Sequence, residues 1–154
     1  MVRKVAIGTD QAGYAIRTNL MQYVQEAGEE FAPVYCGPQS ADSVDYPDYA
    51  QRVAEMVAGG EADCGVLVCG SGIGMCIAAN KVAGVRAALC HDHYTAAMCR
   101  LHNDANVVCV GERTTGVEVI REIIITFLQT QFSGEERHVR RIQKLTAMEK
   151  KEKK

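Results

Sequence analysis

The chain has 154 residues, 47% of them apolar and 23% charged, with a formal net charge of -2 at pH 7. That length fits a single domain, 1–154, with enough apolar content for a sizeable core. The near-neutral balance excludes a general attraction to nucleic acid or to an anionic membrane, and no run of about 18 apolar residues is present to span a bilayer.

Met1-Val2-Arg3-Lys4 leads straight into a strand pattern without the apolar stretch of a secretory signal, so a cytoplasmic location is expected. The last residues are not Ser-Lys-Leu, and no peroxisomal address of that kind is expected. The 7 cysteines are an odd number, and none is spaced Cys-x-x-Cys. Cys64, Cys76, Cys90, Cys99 and Cys109 fall in apolar stretches, where a free thiol behaves as a small hydrophobe, and are expected as reduced core residues.

In chain order, short apolar runs alternate with longer helical patterns. Val5–Thr9 predicts a first strand, ending at Asp10-Gln11, and Tyr14–Ala27 a helix. Phe31–Cys36 predicts a second strand, and Pro47–Ala58 a helix opened by Tyr46-Pro47-Asp48, with Pro47 at its first position. Gly65–Cys69 predicts a third strand that runs into Gly70-Ser71-Gly72-Ile73-Gly74 and a helix over Ile73–Val82. Arg86–Cys90 predicts a fourth, followed by His91-Asp92-His93, a helix over Tyr94–Leu101 and the polar turn His102-Asn103-Asp104. Val107–Val110 predicts a fifth, followed by Gly111-Glu112-Arg113 and a helix over Val117–Gln129 with one apolar stripe. After Gly134, Val139, Ile142, Leu145 and Met148 mark one face of a C-terminal helix and Arg137, Arg141 and Lys144 another; Glu149 to Lys154 is expected as a fraying charged tail. Each strand run is short and nearly continuous in apolar character, as strands buried on both faces are. Five β–α units in succession predict an α/β fold, a three-layer sandwich with a five-stranded parallel sheet and a C-terminal helix.

In such sheets ligands sit beyond the carboxyl ends of the strands. The candidate site therefore lies among Asp10, Gln11, Cys69–Gly74, His91–His93 and Arg113. The alternating glycines between strand and helix let backbone amides approach an anion, where the helix dipole adds partial positive charge. The same glycines also suit a plain tight turn. The loop is neither a dinucleotide fingerprint, because the third glycine would fall at Met75, nor a nucleotide P-loop, because no Gly-Lys-Ser/Thr follows. Cys69 precedes the loop, where a thiolate can act as a base, though strand-end cysteines are more often plain core residues. His91, His93 and His102 lack metal-ligand spacing, and no metal is expected. His102 can exchange protons near neutral pH or simply end a helix. Arg137 and Arg141, one turn apart, can clamp a phosphate or form a solvated basic face.

Taken together, these segments resemble the ribose/galactose isomerase family, and within it the type B ribose-5-phosphate isomerases. The resemblance is carried by Ala6–Asp10, Asp45–Asp48, Cys69–Gly74, Ala78–Val82, Gly84–Ala88, His102–Asn106, Gly111–Arg113 and the arginine-rich last helix. It implies a Rossmann-like sheet and a homodimer with its active sites at the subunit interface. It further implies an aldose–ketose isomerase of ribose 5-phosphate and ribulose 5-phosphate that uses no cofactor. On the same basis Cys69 is the base moving a proton between C2 and C1, and the amides of Gly70, Ser71, Gly72, Ile73 and Gly74 hold the enediolate oxygen. His102, helped by Asp45 or Asp10, opens the furanose ring; Asn103 holds a hydroxyl and Tyr46 lines the sugar. Arg113, with Arg137 and Arg141 from the partner subunit, binds phosphate, and His138 lies close by. One family branch carries a glutamate base where this chain has Met75, so the cysteine-base branch is implied. Where the family has Asp-His-Ala-Gly this chain reads Asp10-Gln11-Ala12-Gly13, and weaker phosphate binding than in histidine-bearing relatives, or compensation by the arginines, is expected, because glutamine cannot become cationic. An isomerase of a six-carbon sugar phosphate and a non-catalytic phosphate-binding module remain the alternatives.

Overall fold

Side-chain alternation along the strands decides the layering. A computed structural model describes residues 1–151. Strand β1 (Arg3–Thr9) sends Val5 and Ile7 to one side and Ala6 to the other. β3 (Cys64–Cys69) likewise sends Cys64, Val66 and Val68 one way and Leu67 and Cys69 the other. β5 (Val107–Gly111) divides Val108 and Val110 from Val107 and Cys109. With apolar residues on both faces, these three strands need helices on both sides.

One face is covered by α2 (Arg17–Glu26), α5 (His93–Leu101) and α6 (Val117–Gln129), which contribute Leu20, Val24, Ala96, Ile120, Ile124 and Phe127. The other is covered by α3 (Tyr46–Ala58) and α4 (Ile73–Ala79), through Val53, Val57, Met75 and Ala79. Burying a side chain such as Leu20 or Ile120 contributes about 1.5–3 kcal/mol each. The expected three-layer α/β sandwich is present, with all strands parallel in the order β2-β1-β3-β5-β4.

The outer strands are β2 (Phe31–Tyr35) and β4 (Ala87–Leu89). Each manages its free edge. β2 carries Pro33, a residue suited to an edge strand. Beside β4, the Asn80 amide accepts a hydrogen bond from Ala87 N at 2.9 Å and donates one to Ala87 O at 3.0 Å, imitating a further strand.

Several boundaries depart from expectation. The helix expected over Tyr14–Ala27 is two pieces, α1 (Gln11–Tyr14) and α2. Gly13 lies so close to Val68 that a Cβ would sit 2.9 Å from its carbonyl oxygen, and the Ile16 N to Gly13 O bond of 3.2 Å tightens the turn that re-aims the chain. Asp45 is the N-cap of α3, so Pro47 stands at its second position rather than its first. Strand β4 is shorter than Arg86–Cys90, because Arg86 N is bound by the side chain of Asn106 at 2.8 Å instead of a strand partner. The final helix, α7 (Glu136–Lys151), continues into what was expected as a tail; residues 152–154 lie outside the described residues. Cys76 also departs from the core thiols. It is half-buried, and a hydrogen bond from Cys109 pulls its thiol down to about 7, whereas burial pushes Cys64 up to about 11.

Candidate active site

From β1 the chain moves outward to β2, then returns to β3 on the far side of β1. The crevice of a parallel sheet opens at such a reversal, beyond the strand carboxyl ends. There the structure has a cleft of about 590 Å³, lined by Asp10, Tyr46, Cys69, Gly70, Ser71, Ile73, Gly74 and Arg113. Ile77 and Thr114 also line it and were not anticipated; Ile77 lies one helical turn beyond Ile73, which is the signal that could have found it.

The glycine loop is built around the sulfur. Gly72 adopts φ +77, the left-handed region open to glycine, and its N–H donates to Cys69 Sγ at 3.2 Å. A thiolate accepts such a bond more strongly than a thiol. Cys69 is 5% exposed and belongs to the apolar cluster with Leu67 and Met75, and it is at the same time a lining residue of the cleft. This modifies the expectation for the loop amides. Gly72 N–H serves the sulfur and Ile73 N–H is taken by Ser71 Oγ at 3.2 Å. Among the described residues, the N–H groups of Gly70, Ser71 and Gly74 have no protein acceptor and are open to a ligand oxygen.

Around the loop, Tyr46 packs its ring on Gly74 so closely that a Cβ there would lie 2.5 Å from Cζ. The Arg113 guanidinium lies over Gly70, and its backbone N–H bonds Gly70 O at 2.9 Å. Arg113 is exposed and, among the described residues, has no carboxylate within ion-pair distance. Asp10 is buried and caps α1, accepting from Gly13 N at 3.0 Å. Asp45 is exposed, and its carboxylate makes no capping bond to α3.

Gln11 is not a lining residue of the cleft. Its Oε1 accepts from Val44 N at 3.1 Å and ties down the loop that delivers Asp45 and Tyr46. Tyr35 and Tyr14 hold the same loop by donating to Pro38 O at 2.9 Å and Gln39 O at 3.2 Å.

The remaining predicted residues sit elsewhere. Helix α5 starts at the carboxyl edge of the sheet, after β4, and ends at the amino edge, before β5. Its 9 residues span about 13.5 Å at 1.5 Å per residue, so His102 and Asn103 lie at the opposite edge from Cys69. His102 therefore does not join Asp45 or Asp10 within one chain. His138 of α7 stacks on His102, with ring centroids 4.3 Å apart and planes 14° from parallel. Arg137 and Arg141 are exposed on the same helix, and Arg137 pairs with Glu135 at 3.1 Å. The His138 Nε2 is buried without a hydrogen-bond partner among the described residues. Burial, with the neighbouring His102 and Arg137, holds its pKa below the ordinary imidazole value.

His91 and His93 do not converge on a metal site. His93 Nδ1 is 3.1 Å from Thr126 Oγ1 and 3.5 Å from a Glu122 oxygen. Among the described residues no group of three or more His, Cys, Asp or Glu is placed to hold an ion.

The residues expected at the site thus fall into two separate groups within one chain. One has a thiol, free amides and an arginine; the other has two stacked imidazoles, an amide and two arginines. Together they contain the functions that proton transfer on an anionic carbohydrate needs.

Residues 5–145 match the model of the Ribose/Galactose Isomerase family. The chain is 41% identical to ribose-5-phosphate isomerase B of Escherichia coli over 150 residues, covering 97% of this chain and 99% of the relative. It is 76% identical to type B ribose 5-phosphate isomerase from Trypanosoma cruzi, with a TM-score of 0.96 over 97% of this chain and 99% of that structure. A ribose-5-phosphate isomerase B from Mycoplasma genitalium with bound ribulose-5-phosphate is 38% identical, with a TM-score of 0.91 over 97% of this chain and 98% of that one.

Proposed function

This chain belongs to the ribose/galactose isomerase family and interconverts ribose 5-phosphate and ribulose 5-phosphate; we propose that Cys69 is the base of that reaction. The observation that carries the assignment is the place of Cys69, lining the cleft at the switch point under a loop with three unclaimed amides.

In the open-chain aldose, the Cys69 thiolate removes the proton at C2. The electron pair forms the C1–C2 double bond, and the carbonyl π electrons move to the oxygen on C1. The N–H groups of Gly70, Ser71 and Gly74 are free to receive the oxygen that carries the charge, and preorganised donors of that kind are often the largest catalytic contribution. Returning the proton to C1, with the C2 hydroxyl proton passed to the C1 oxygen, gives the ketose. Proton transfer of this type contributes about 10²–10⁴ in rate. His102 protonates the furanose ring oxygen before this step, Asn103 holds a hydroxyl, Tyr46 lines the sugar and Arg113 binds phosphate. The cycle neither gains nor loses electrons overall, so it calls for no redox cofactor.

The two groups complete each other as half-sites if two copies pair about a twofold axis, because each copy then lends one half to each of two sites. Arg137, His138 and Arg141 of one chain would then face Arg113 and Cys69 of the other. The cleft rim supports a covering partner: Ile73 is 53% exposed and Ile77 58%. The proposal therefore includes a homodimer formed from single-domain chains. It also includes a cytoplasmic location, which rests on an odd number of thiols without Cys-x-x-Cys spacing; no helix among the described residues is long and apolar enough to cross a membrane.

Deuterium exchange from solvent into ribulose 5-phosphate at C1, followed by NMR, tests the base. Cys69→Ala is expected to lose exchange and isomerisation alike by at least about 100-fold with its thermal midpoint kept. Undiminished exchange in that variant would remove Cys69 from the mechanism.

A further inference from the structure

We propose that Arg86 is a positioning residue for ring opening, acting through the turn that carries His102 and Asn103. The inference rests on the assignment of His102 made above. Arg86 lies just before β4, and its guanidinium reaches across to the end of α5. Nε donates to Asn103 O at 2.9 Å, and NH2 donates to the next carbonyl, Asp104 O, at 2.8 Å. The same NH2 lies 3.5 Å from Asp104 Oδ2. One planar group therefore fixes two consecutive peptide carbonyls, a geometry that a lysine ammonium does not reproduce.

Asp104 completes the device. Its φ is +43, and it is the one non-glycine residue with positive φ among the described residues. Asp tolerates that conformation better than most side chains. Its carboxylate is held from a second side by Arg100, whose NH1 donates to Oδ1 at 2.9 Å and whose Nε is anchored on Thr130 O at 3.1 Å. Arg86 N and the Asn106 side chain tie the far end of the same turn.

Against this fixed backbone, the side chains that bear chemistry are left free. The His102 ring makes only its stack with His138, and the Asn103 amide makes no hydrogen bond among the described residues. A clamped main chain presenting unspent side chains is the arrangement that preorganisation requires. A turn that merely closed a helix would need no guanidinium on Asn103 O, because water satisfies an exposed carbonyl equally well.

Ring opening can be separated from proton transfer, because ribulose 5-phosphate is acyclic and exchanges its C1 hydrogen without passing through a furanose. In Arg86→Lys the isomerisation of ribose 5-phosphate is expected to fall at least about tenfold, since misplacement by about 1 Å costs on the order of 100-fold. Exchange into ribulose 5-phosphate, which uses the Asn103 contact but not ring opening, is expected to fall by a clearly smaller factor. Asp104→Gly removes the carboxylate while suiting φ +43, so it tests the same split with little risk to the fold. Equal proportional losses in both reactions, or no loss in either, overturn the inference. His102→Asn, measured alongside, separates the two levels of the argument. If it too loses both reactions equally, the ring-opening role of His102 falls; if it splits them and the other two variants do not, only the role of Arg86 falls.

Discussion

Substituting the glycines of the cleft loop by alanine separates two kinds of crowding. Gly72 caps α4 at φ +77, and a Cβ there would lie 2.6 Å from Leu89 Cδ1 and 2.8 Å from the carbonyl carbon of Val110. The left-handed conformation costs an L-residue about 1–2 kcal/mol. Overpacking against β5 backbone, which has nowhere to retreat, costs about 1–3 kcal/mol more. The sum, about 2–5 kcal/mol, lowers the melting temperature by roughly 5–15 °C in a domain of this size. Gly74 looks as crowded, with Tyr46 Cζ 2.5 Å from its built Cβ, but there the neighbour is a side chain 40% exposed to solvent. Its ring can swing outward at little cost to the fold while leaving its place on the cleft wall, where the proposed mechanism has it line the sugar. Gly74→Ala is therefore expected to keep its midpoint within a few degrees and to raise KM. Circular dichroism melts with steady-state kinetics on both variants decide the matter. Equal loss of stability in the two, or an unchanged KM in Gly74→Ala, would refute the distinction between rigid and yielding neighbours.

Mixing two inactive variants, Cys69→Ala and His102→Ala, is expected to restore about a quarter of wild-type activity, because half the random pairs are mixed and each mixed pair has one intact site. No recovery on mixing would place both residues' functions in a single chain. Gln11→His is expected to lower KM for the sugar phosphate only if the imidazole leaves Val44 N and turns into the cleft; an unchanged KM would show that residue 11 serves the loop rather than the phosphate. Because burial depresses the pKa of His138, the unfolded chain binds the extra proton first as pH falls. Stability is therefore expected to decline as pH is lowered through about 6.5 and below, and His138→Gln to flatten that decline, read from melts across pH. Around His138, His102, Arg137 and Arg141 favour the neutral ring and Glu135 opposes them. A pH profile unaltered by the substitution would contradict this.

Local pattern determined much of this protein. The runs around Ile7, Val66 and Val108 are apolar on both faces, and only helices on both sides can cover such strands, so layers and strand direction followed from sequence. The position of Cys69 beside the glycine loop also followed, because strand ends place ligands and glycines admit backbone to an anion. The break between α1 and α2 did not, since it comes from Gly13 pressing on Val68, a residue 55 positions away.

What the fold alone decided are the contacts between residues remote in the chain. Strand order put β5 between β3 and β4, bringing Gly111 beside Cys69 and Arg113 over Gly70. It made Gln11 a tether for Val44, and it set Arg86 on the carbonyls of Asn103 and Asp104. The length of α5 then carried His102 to the edge opposite Cys69. A periodicity records which face of an element is buried, but not which element it will meet, and this site is made of such meetings.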